Sequence, residues 1–364
     1  MKRILISLAL SAATIAASAQ QQAPQFEYRS QYPDIPIVDV HYHPDNWRSG
    51  SVPEFYAEAP RSGPDSLPVE SFANVMKVRD ILKEKYGSNL GYFVCLNNVS
   101  PEDRAAITAV TDGRTLFSIH AGITHSAFQG GLNYTPEEII DMVENDGFQG
   151  LKFWFGTPSR QLTPGKAGIT KIDDPRFAPL FSKLEAAGVM LTSLHIADPN
   201  GPFHDRKNYM ADPVYFWEQI RAFENVVAAY PDLTVLAAHG AWLTAQDAQF
   251  DYLRYMLATY PNLYVDMSAT QPYMNLSNRE NVRDFYIEFA DRILFGSDAG
   301  RIAERQIESN ADRYARAFAY LETDMMMPGR TPVQGLDLPR EVLEKIYYKN
   351  ALKLYPGLKA AWQE

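Results

Sequence analysis

The chain has 364 residues, of which 46% are hydrophobic and 12% aromatic, and a formal net charge of −10 at pH 7. This charge argues against nucleic acid or an anionic membrane as a partner, because both repel an acidic protein. The single cysteine, Cys95, excludes an intrachain disulfide, so we expect the stability of the fold to come from a large apolar core.

The first residues of the chain predict an export signal. Lys2 and Arg3 precede an apolar stretch over residues 4–17, and small residues at 17–19 are typical of a cleavage site after Ala19. The apolar stretch is too short to span a bilayer, and no later segment supplies a span. We therefore expect a signal peptide over residues 1–19, a periplasmic or secreted protein and no stable membrane association. A Gln- and Pro-rich extended arm is predicted over residues 20–34.

Short apolar runs rich in β-branched residues then alternate with helical patterns. The helical patterns carry start signals, such as Thr135 followed by Pro136 and by Glu138 at the capping-box position. Eight apolar runs are present, over residues 35–43, 90–96, 115–123, 148–155, 189–196, 233–240, 263–269 and 292–300.

Strands that alternate with helices predict parallel pairing, and eight such units predict a closed (β/α)8 barrel of the TIM type. We place it in one domain over residues 35–358, with extra helices at its C-terminal end. The main alternative is an open, doubly wound sheet. That fold usually has a Gly-rich phosphate turn after its first strand, whereas here the first strand ends in histidines and Pro44.

Residues with metal-binding side chains recur at the ends of the predicted strands, which is where barrel enzymes form their active sites. His41 and His43 end the first strand and face the same side, because they lie two residues apart. Imidazole and carboxylate groups suit zinc, manganese or a related divalent ion. Each residue alone has a structural explanation, but their occurrence together at five strand ends indicates a site. The others are Lys152 on the fourth strand, His195 on the fifth, His239 on the sixth and Asp298 on the eighth.

Six ordered motifs resemble the amidohydrolase superfamily. They are "VDVHYH", "GLKFW", "LHIADP", "LAAHGAW", "LYVDMSA" and "ILFGSDAG". The sequence is most similar to the amidohydrolase-related branch, which includes aminocarboxymuconate-semialdehyde decarboxylase and several lactone hydrolases. The resemblance extends from about residue 35 to residue 356, where "EKIYYKNALKLYPG" is similar to the closing helix of that branch. These motifs are specific for the superfamily and not for a substrate.

The resemblance implies that His41, His43, His195 and Asp298 bind one divalent metal, with zinc expected first and manganese second. Such a ligand set leaves a position for a water whose pKa the metal lowers toward about 7. Asp298 would then act as general base, and His239 as an acid/base or as the group that stabilises an oxyanion.

The chemical state of Lys152 distinguishes a site with one metal from a site with two. In binuclear members of the superfamily a lysine on the fourth strand is carboxylated and bridges two metals, in which case His195 and His239 would bind the second ion. We favour one metal and an uncarboxylated Lys152, whose charge would suit a substrate carboxylate or a developing oxyanion.

Weaker candidates for substrate binding lie in the predicted loops. Trp47 and Arg48 follow the histidine pair, His204 and Arg206 follow the fifth strand, and Arg301 follows "GSDAG". An arginine could hold a substrate carboxylate through two hydrogen bonds, although a solvated loop charge is the alternative for each. We expect Asp266, within "LYVDMSA", to brace the site.

The sequence therefore predicts an exported, metal-dependent hydrolase that acts on a small-molecule lactone, ester or amide. One alternative is a non-oxidative, metal-dependent decarboxylase of a small unsaturated or aromatic carboxylic acid. The other is a catalytically silent barrel that binds a ligand. A homo-oligomer is compatible with the sequence.

Overall fold

The computed structural model describes residues 26–44, 67–120, 134–155, 171–199, 213–327 and 332–362. The predicted signal peptide lies outside the described residues, as does the predicted arm up to residue 25. Four of the loop candidates also lie outside them, namely Trp47, Arg48, His204 and Arg206.

Parallel strands form the wall of a barrel. The third predicted strand is divided into β3 and β4, because Ser118 between them donates its N–H to the carbonyl of Cys95 while Ile119 donates to Gly150. The first sheet contains β1 Pro36–Tyr42, β2 Asn89–Cys95 and β3 Thr115–Phe117. The second contains β4 Ile119–His120, β5 Leu151–Phe155, β6 Leu191–Ile196, β7 Val235–Ala237, β8 Leu263–Asp266 and β9 Ile293–Leu294.

The barrel closes between β1 and residues 293–299, which we call the closing seam. Tyr42 forms a parallel bridge with Ala299. The N–H of Val40 donates to the carbonyl of Phe295 at 3.1 Å, and the N–H of Asp298 donates to the carbonyl of His41 at 2.9 Å. The predicted barrel class is confirmed.

Helices follow most of the strands and cover the outside of the barrel. The capping box predicted at Thr135 is present, since its hydroxyl accepts from the N–H of Glu138 and the Glu138 carboxylate accepts from the N–H of Thr135. None of the described helices is long and apolar enough to cross a membrane. They are α1 Leu67–Tyr86, α2 Pro101–Val110, α3 Pro136–Asn145, α4 Ala178–Ala186, α5 Pro213–Ala229, α6 Asp247–Thr259, α7 Arg279–Glu288 and α8 Ile307–Glu322.

A C-terminal segment closes the amino-terminal end of the barrel. It consists of α9 Arg340–Glu344, a π-helical turn over Lys345–Lys349, α10 Asn350–Leu354 and α11 Pro356–Ala361. Tyr355 and Leu358 pack into the apolar interior of the barrel with Val38 and Tyr264. The extra helices therefore lie across one end of the barrel.

Candidate metal centre

His41 and His43 lie side by side where β1 ends, as their spacing predicts. Both are buried, and their Nε2 atoms are 3.2 Å apart. His41 Nδ1 is 3.0 Å from Asp266 Oδ2, and His43 Nδ1 is 2.9 Å from Asn97 Oδ1. A carboxylate and an amide oxygen accept hydrogen bonds, so each ring places an N–H at Nδ1 and directs its Nε2 atom toward the other ring.

Asp298 approaches this pair from the other side of the closing seam. Its Oδ1 lies 3.4 Å from His41 Nε2 and 3.7 Å from His43 Nε2. The backbone of Asp298 has φ +50°, a left-handed conformation that residues with a side chain rarely adopt. Arg313 holds this turn, because its Nη2 donates to the carbonyl oxygens of Ser297 at 3.0 Å and Asp298 at 3.1 Å.

Gly296 allows this close approach of the two strands. A Cβ at this position would lie 2.8 Å from the Cβ of His41 and 3.3 Å from Asp266 Oδ1. A larger residue would therefore displace either the ligand histidine or the carboxylate that orients it.

The three converging groups fit a cation. Burial lowers the pKa of His43 well below its ordinary value, so this ring is neutral near pH 7. Both Nε2 atoms and one carboxylate oxygen then point toward the same place. A divalent ion would satisfy all three, and nitrogen and carboxylate ligands suit zinc. Among the described residues, His41, His43 and Asp298 form one possible metal cluster, and His41, His239 and Asp266 form another.

His195 is adjacent to these clusters but belongs to neither of them in the described residues. It lies in β6, and its ring centre is 4.9 Å from that of His239. Its Nε2 is 3.0 Å from the carbonyl oxygen of Ala197 and 3.7 Å from the buried carboxylate of Asp198. Both are acceptors, so Nε2 carries the proton and Nδ1 is the nitrogen that remains able to bind a metal. Its ligand role stays a prediction.

His239 follows β7 in a left-handed turn that continues through Trp242. The indole of Trp242 stacks on the His239 ring, with centres 4.5 Å apart. His239 Nδ1 is 2.8 Å from the carbonyl oxygen of Ser268, so the neutral ring presents a lone pair at Nε2. This tautomer can accept a proton, but it can donate to an oxyanion only after a second proton is bound. Burial lowers the pKa of His239 to about 3, so the ring is neutral near pH 7. Its role as an acid/base or as the group that stabilises an oxyanion stays a prediction.

Lys152 lies in β5, where it is 1% exposed, and its Nζ donates to Ser193 Oγ at 2.8 Å. Burial lowers the pKa of this amine to about 8, although the nearby carboxylates of Asp298 and Asp266 oppose the shift.

A cavity of about 740 Å³ opens at these groups. His41, His43, His195 and His239 line it together with Lys152 and Asp298. Its wall is mainly apolar and includes Trp154, Trp242 and Tyr273. Such a volume is in the range of small-molecule sites.

Arg301 is the one loop candidate that the structure describes. Its Nη2 pairs with Glu70 Oε2 of α1 at 3.1 Å, and it is not among the residues that line the cavity. The structure thus places Arg301 on an outer contact of the barrel.

Several residues of the site were not predicted from the sequence. Asn97 orients His43, Ser268 contacts His41 and His239, and Trp242 stacks on His239. Asn97 and Ser268 each lie two residues after a strand ends, so their position is the signal that could have indicated them. Asp266 braces His41, as expected.

The chain is similar to known amidohydrolases. The family model described as amidohydrolase matches residues 38–357. No match was found among curated proteins. A solved structure of a putative amidohydrolase from Staphylococcus aureus is similar in fold, with a TM-score of 0.50 and 12% identity over 88% of this chain and 99% of that chain.

Two further structures have slightly lower TM-scores. An uncharacterised TIM-barrel protein from Bordetella bronchiseptica has a TM-score of 0.49 and 19% identity, over 90% of this chain and 99% of that chain. A phosphotriesterase from Mycobacterium tuberculosis has a TM-score of 0.48 and 13% identity, over 90% and 98%. Because the family model matches most of its length, the chain belongs to the amidohydrolase family of metal-dependent hydrolases and related enzymes.

Proposed function

We propose that the protein is an exported, metal-dependent hydrolase of a small-molecule lactone, ester or amide. The observation that carries this proposal is the convergence of His41, His43 and Asp298 on one point at the floor of a 740 Å³ cavity. Water is the only co-substrate that such a reaction requires, which suits an enzyme that works outside the cytoplasm.

Each residue of the site has a separate role in this proposal. His41, His43 and Asp298 would hold one divalent ion, with His195 as a further ligand through Nδ1. The metal supplies a Lewis acid that activates water near neutral pH and polarises a carbonyl group. His239 accepts a proton at Nε2, and Asp298 acts as general base toward the attacking water. The apolar side chains of the wall would exclude solvent and orient a small substrate.

Turnover is tested with zinc-loaded, full-length mature protein and a panel of lactones, aryl esters and anilides. Hydrolysis releases one acid group for each bond cleaved, which a pH-stat measures directly. We expect at least one class to be hydrolysed and the rate to fall when a chelator removes the metal. Binding of panel compounds without turnover of any of them would favour a silent binding barrel.

The metal count is tested on the same preparation by elemental analysis. We expect about one ion per chain, because the motif around Lys152 is similar to the amidohydrolase-related branch, in which one metal is usual. Two ions per chain, falling when bicarbonate is excluded during purification, would contradict the mononuclear site.

Export is tested by expressing the full gene and identifying the N-terminus of the periplasmic or secreted protein by mass spectrometry. We expect the mature chain to begin at Gln20. An intact N-terminus on protein confined to the cytoplasm would contradict export.

A second candidate is a decarboxylase, which Lys152 favours. Its buried amine lines the same cavity as the metal cluster and could pair with a substrate carboxylate. Aromatic and unsaturated carboxylic acids therefore belong in the panel. Release of carbon dioxide with no new acid group would identify this reaction in place of hydrolysis.

A further inference from the structure

Asp39 is a fully buried carboxylate two residues before His41 and outside the ligand cluster. It accepts four hydrogen bonds. Oδ1 accepts from the N–H of His41 at 3.0 Å and from the N–H of Ser297 at 2.9 Å. Oδ2 accepts from Ser297 Oγ at 2.6 Å and from the Tyr314 hydroxyl at 2.5 Å. A carboxylate with this many donors is satisfied without touching a metal or a substrate.

These donors belong to opposite sides of the closing seam. His41 contributes its backbone from β1, and Ser297 directly precedes Asp298 on the other side. Asp39 therefore connects the backbone of His41 to that of the residue before Asp298. The side chains of His41 and Asp298, two proposed ligands, lie 3.4 Å apart. Ser297 Oγ also accepts from the N–H of Ala299 at 3.0 Å, so the residues on both sides of Asp298 depend on this contact.

The strained backbone of Asp298 makes its position depend on the contact between Asp39 and Ser297. A non-glycine residue with φ +50° is strained and keeps this conformation only where its surroundings hold it. If Ser297 were released, Asp298 would keep the bond from its N–H to the His41 carbonyl and the contact of its own carbonyl with Arg313. The distance from its carboxylate to His41 Nε2 would then be less tightly fixed.

We propose that Asp39 is a positioning residue that sets Asp298 against His41 and thereby tunes the affinity and geometry of the metal site. The proposal rests on the metal site of the proposed function but not on the reaction. Outer groups that orient metal ligands typically change metal affinity by about 10–100-fold when they are removed.

The chain contains a matched control for this carboxylate. Glu322 is 1% exposed and accepts from the Tyr28 hydroxyl at 2.8 Å, from Ser30 Oγ at 2.6 Å and from the Tyr347 hydroxyl at 3.0 Å. Like Asp39 it is a buried acid held by tyrosine and serine hydroxyls, but it fastens the N-terminal described residues to α8 and does not line the cavity.

The experiment compares Asp39→Asn, Tyr314→Phe and Glu322→Gln in the full-length mature protein. Zinc affinity is measured by competition with a chromophoric chelator, and ligand geometry by the visible spectrum of the cobalt(II)-loaded protein. Asparagine keeps the shape of Asp39 but replaces Oδ2 or Oδ1 by a group that cannot accept from the hydroxyls or amides.

We expect Asp39→Asn to weaken zinc binding by about tenfold or more and to shift the cobalt spectrum. Tyr314→Phe should act in the same direction with a smaller effect. Glu322→Gln should lower the thermal midpoint while leaving zinc affinity and the cobalt spectrum unchanged.

Zinc affinity within twofold of wild type, with an unchanged cobalt spectrum, in folded Asp39→Asn would overturn the proposal. If that variant does not fold, Tyr314→Phe decides by the same criteria. A wild-type protein that hydrolyses nothing, but whose zinc affinity depends on Asp39, would reject the hydrolase and leave the positioning role intact. A wild-type protein that binds no metal would overturn both.

Discussion

The two ends of the barrel use left-handed backbone in different ways. At the amino-terminal end, the turns that lead into β2, β3, β5 and β6 have positive φ at glycines: Gly87, Gly113, Gly147, Gly150 and Gly188. At the carboxyl end, residues with side chains also adopt this left-handed conformation. Six of the eight described non-glycine residues with positive φ follow β6 to β9: Ala197, His239, Ala241, Trp242, Ala269 and Asp298.

This difference between the two ends of the barrel shows where a strained backbone is tolerated. Glycine adopts a positive φ at no steric cost, so turns that only reverse the chain use it. At the carboxyl end the side chains of His239, Trp242 and Asp298 line the cavity, and glycine cannot replace them. Strain of this kind is typical of functional sites, where surrounding contacts hold it in place.

Asp298→Asn tests the strained end and should have the largest effect. The amide keeps the shape of the side chain but removes the charge that completes the His41 and His43 cluster. We expect turnover to be abolished and zinc affinity to fall, whereas His41→Ala should lose the metal itself. Both are measured by elemental analysis and by the rate on the best substrate of the panel.

Asp337→Asn is the matched control for this substitution. Asp337 also has a positive φ, at +48°, but it is exposed and does not line the cavity. It should keep both metal and activity. Near wild-type activity of Asp298→Asn at equal metal content would show that the site is assigned wrongly.

His239→Asn should separate chemistry from metal binding at the same end. The asparagine removes the proton acceptor at Nε2, so we expect a rate lower by about 10²-fold or more with the metal retained. Metal content and kcat are measured together. Loss of an ion in this variant would place His239 in the ligand set, as the cluster of His41, His239 and Asp266 allows.

Gly188→Ala tests the unstrained end. No atom lies within 4 Å of the added Cβ, and φ is +67°, so the substitution isolates the conformational cost. We expect the free energy of unfolding to fall by about 1–2 kcal/mol, with zinc affinity unchanged. Chemical denaturation measures the first and chelator competition the second. An unchanged unfolding free energy would contradict the role given to glycine here.

Ala241→Gly is the reverse change and should have the smallest effect. It relieves a φ of +52° in the turn between His239 and Trp242, but it also adds freedom to the unfolded chain. We expect a net gain of less than about 1 kcal/mol in the free energy of unfolding. A marked loss of stability in denaturation experiments would mean that the methyl group, and not strain, decides this position.

Much of the fold could be predicted because it depends on local pattern. Alternating apolar strands and amphipathic helices gave the barrel, and Thr135, Pro136 and Glu138 gave a helix start that the structure confirms. The division of the third strand could not be predicted, since it follows from which neighbour Ser118 and Ile119 pair with. The closure of the amino-terminal end by Tyr355 and Leu358 also depends on packing against distant strands.

The candidate site was likewise predictable only in part. His41, His43, Lys152, His239 and Asp298 were predictable because strand ends in a barrel converge. Arg301 was a weaker choice, because its partner, Glu70, lies 231 residues away and no local pattern indicates it. Asn97 and Ser268 were missed because a short polar residue after a strand is common in any loop.

The sequence by itself determined which residue types stand at the ends of the strands, because burial and direction along a strand follow from spacing. Only the tertiary structure decided what each group can do. The proton on His41 lies at Nδ1 because Asp266, 225 residues away in the chain, accepts it there. Likewise Asp39 acquires its role only when β1 meets Ser297, 258 residues later, across the closing seam. Tautomer, backbone strain and hydrogen-bond partner are set by groups that meet only in the closed barrel, and no local pattern contains them.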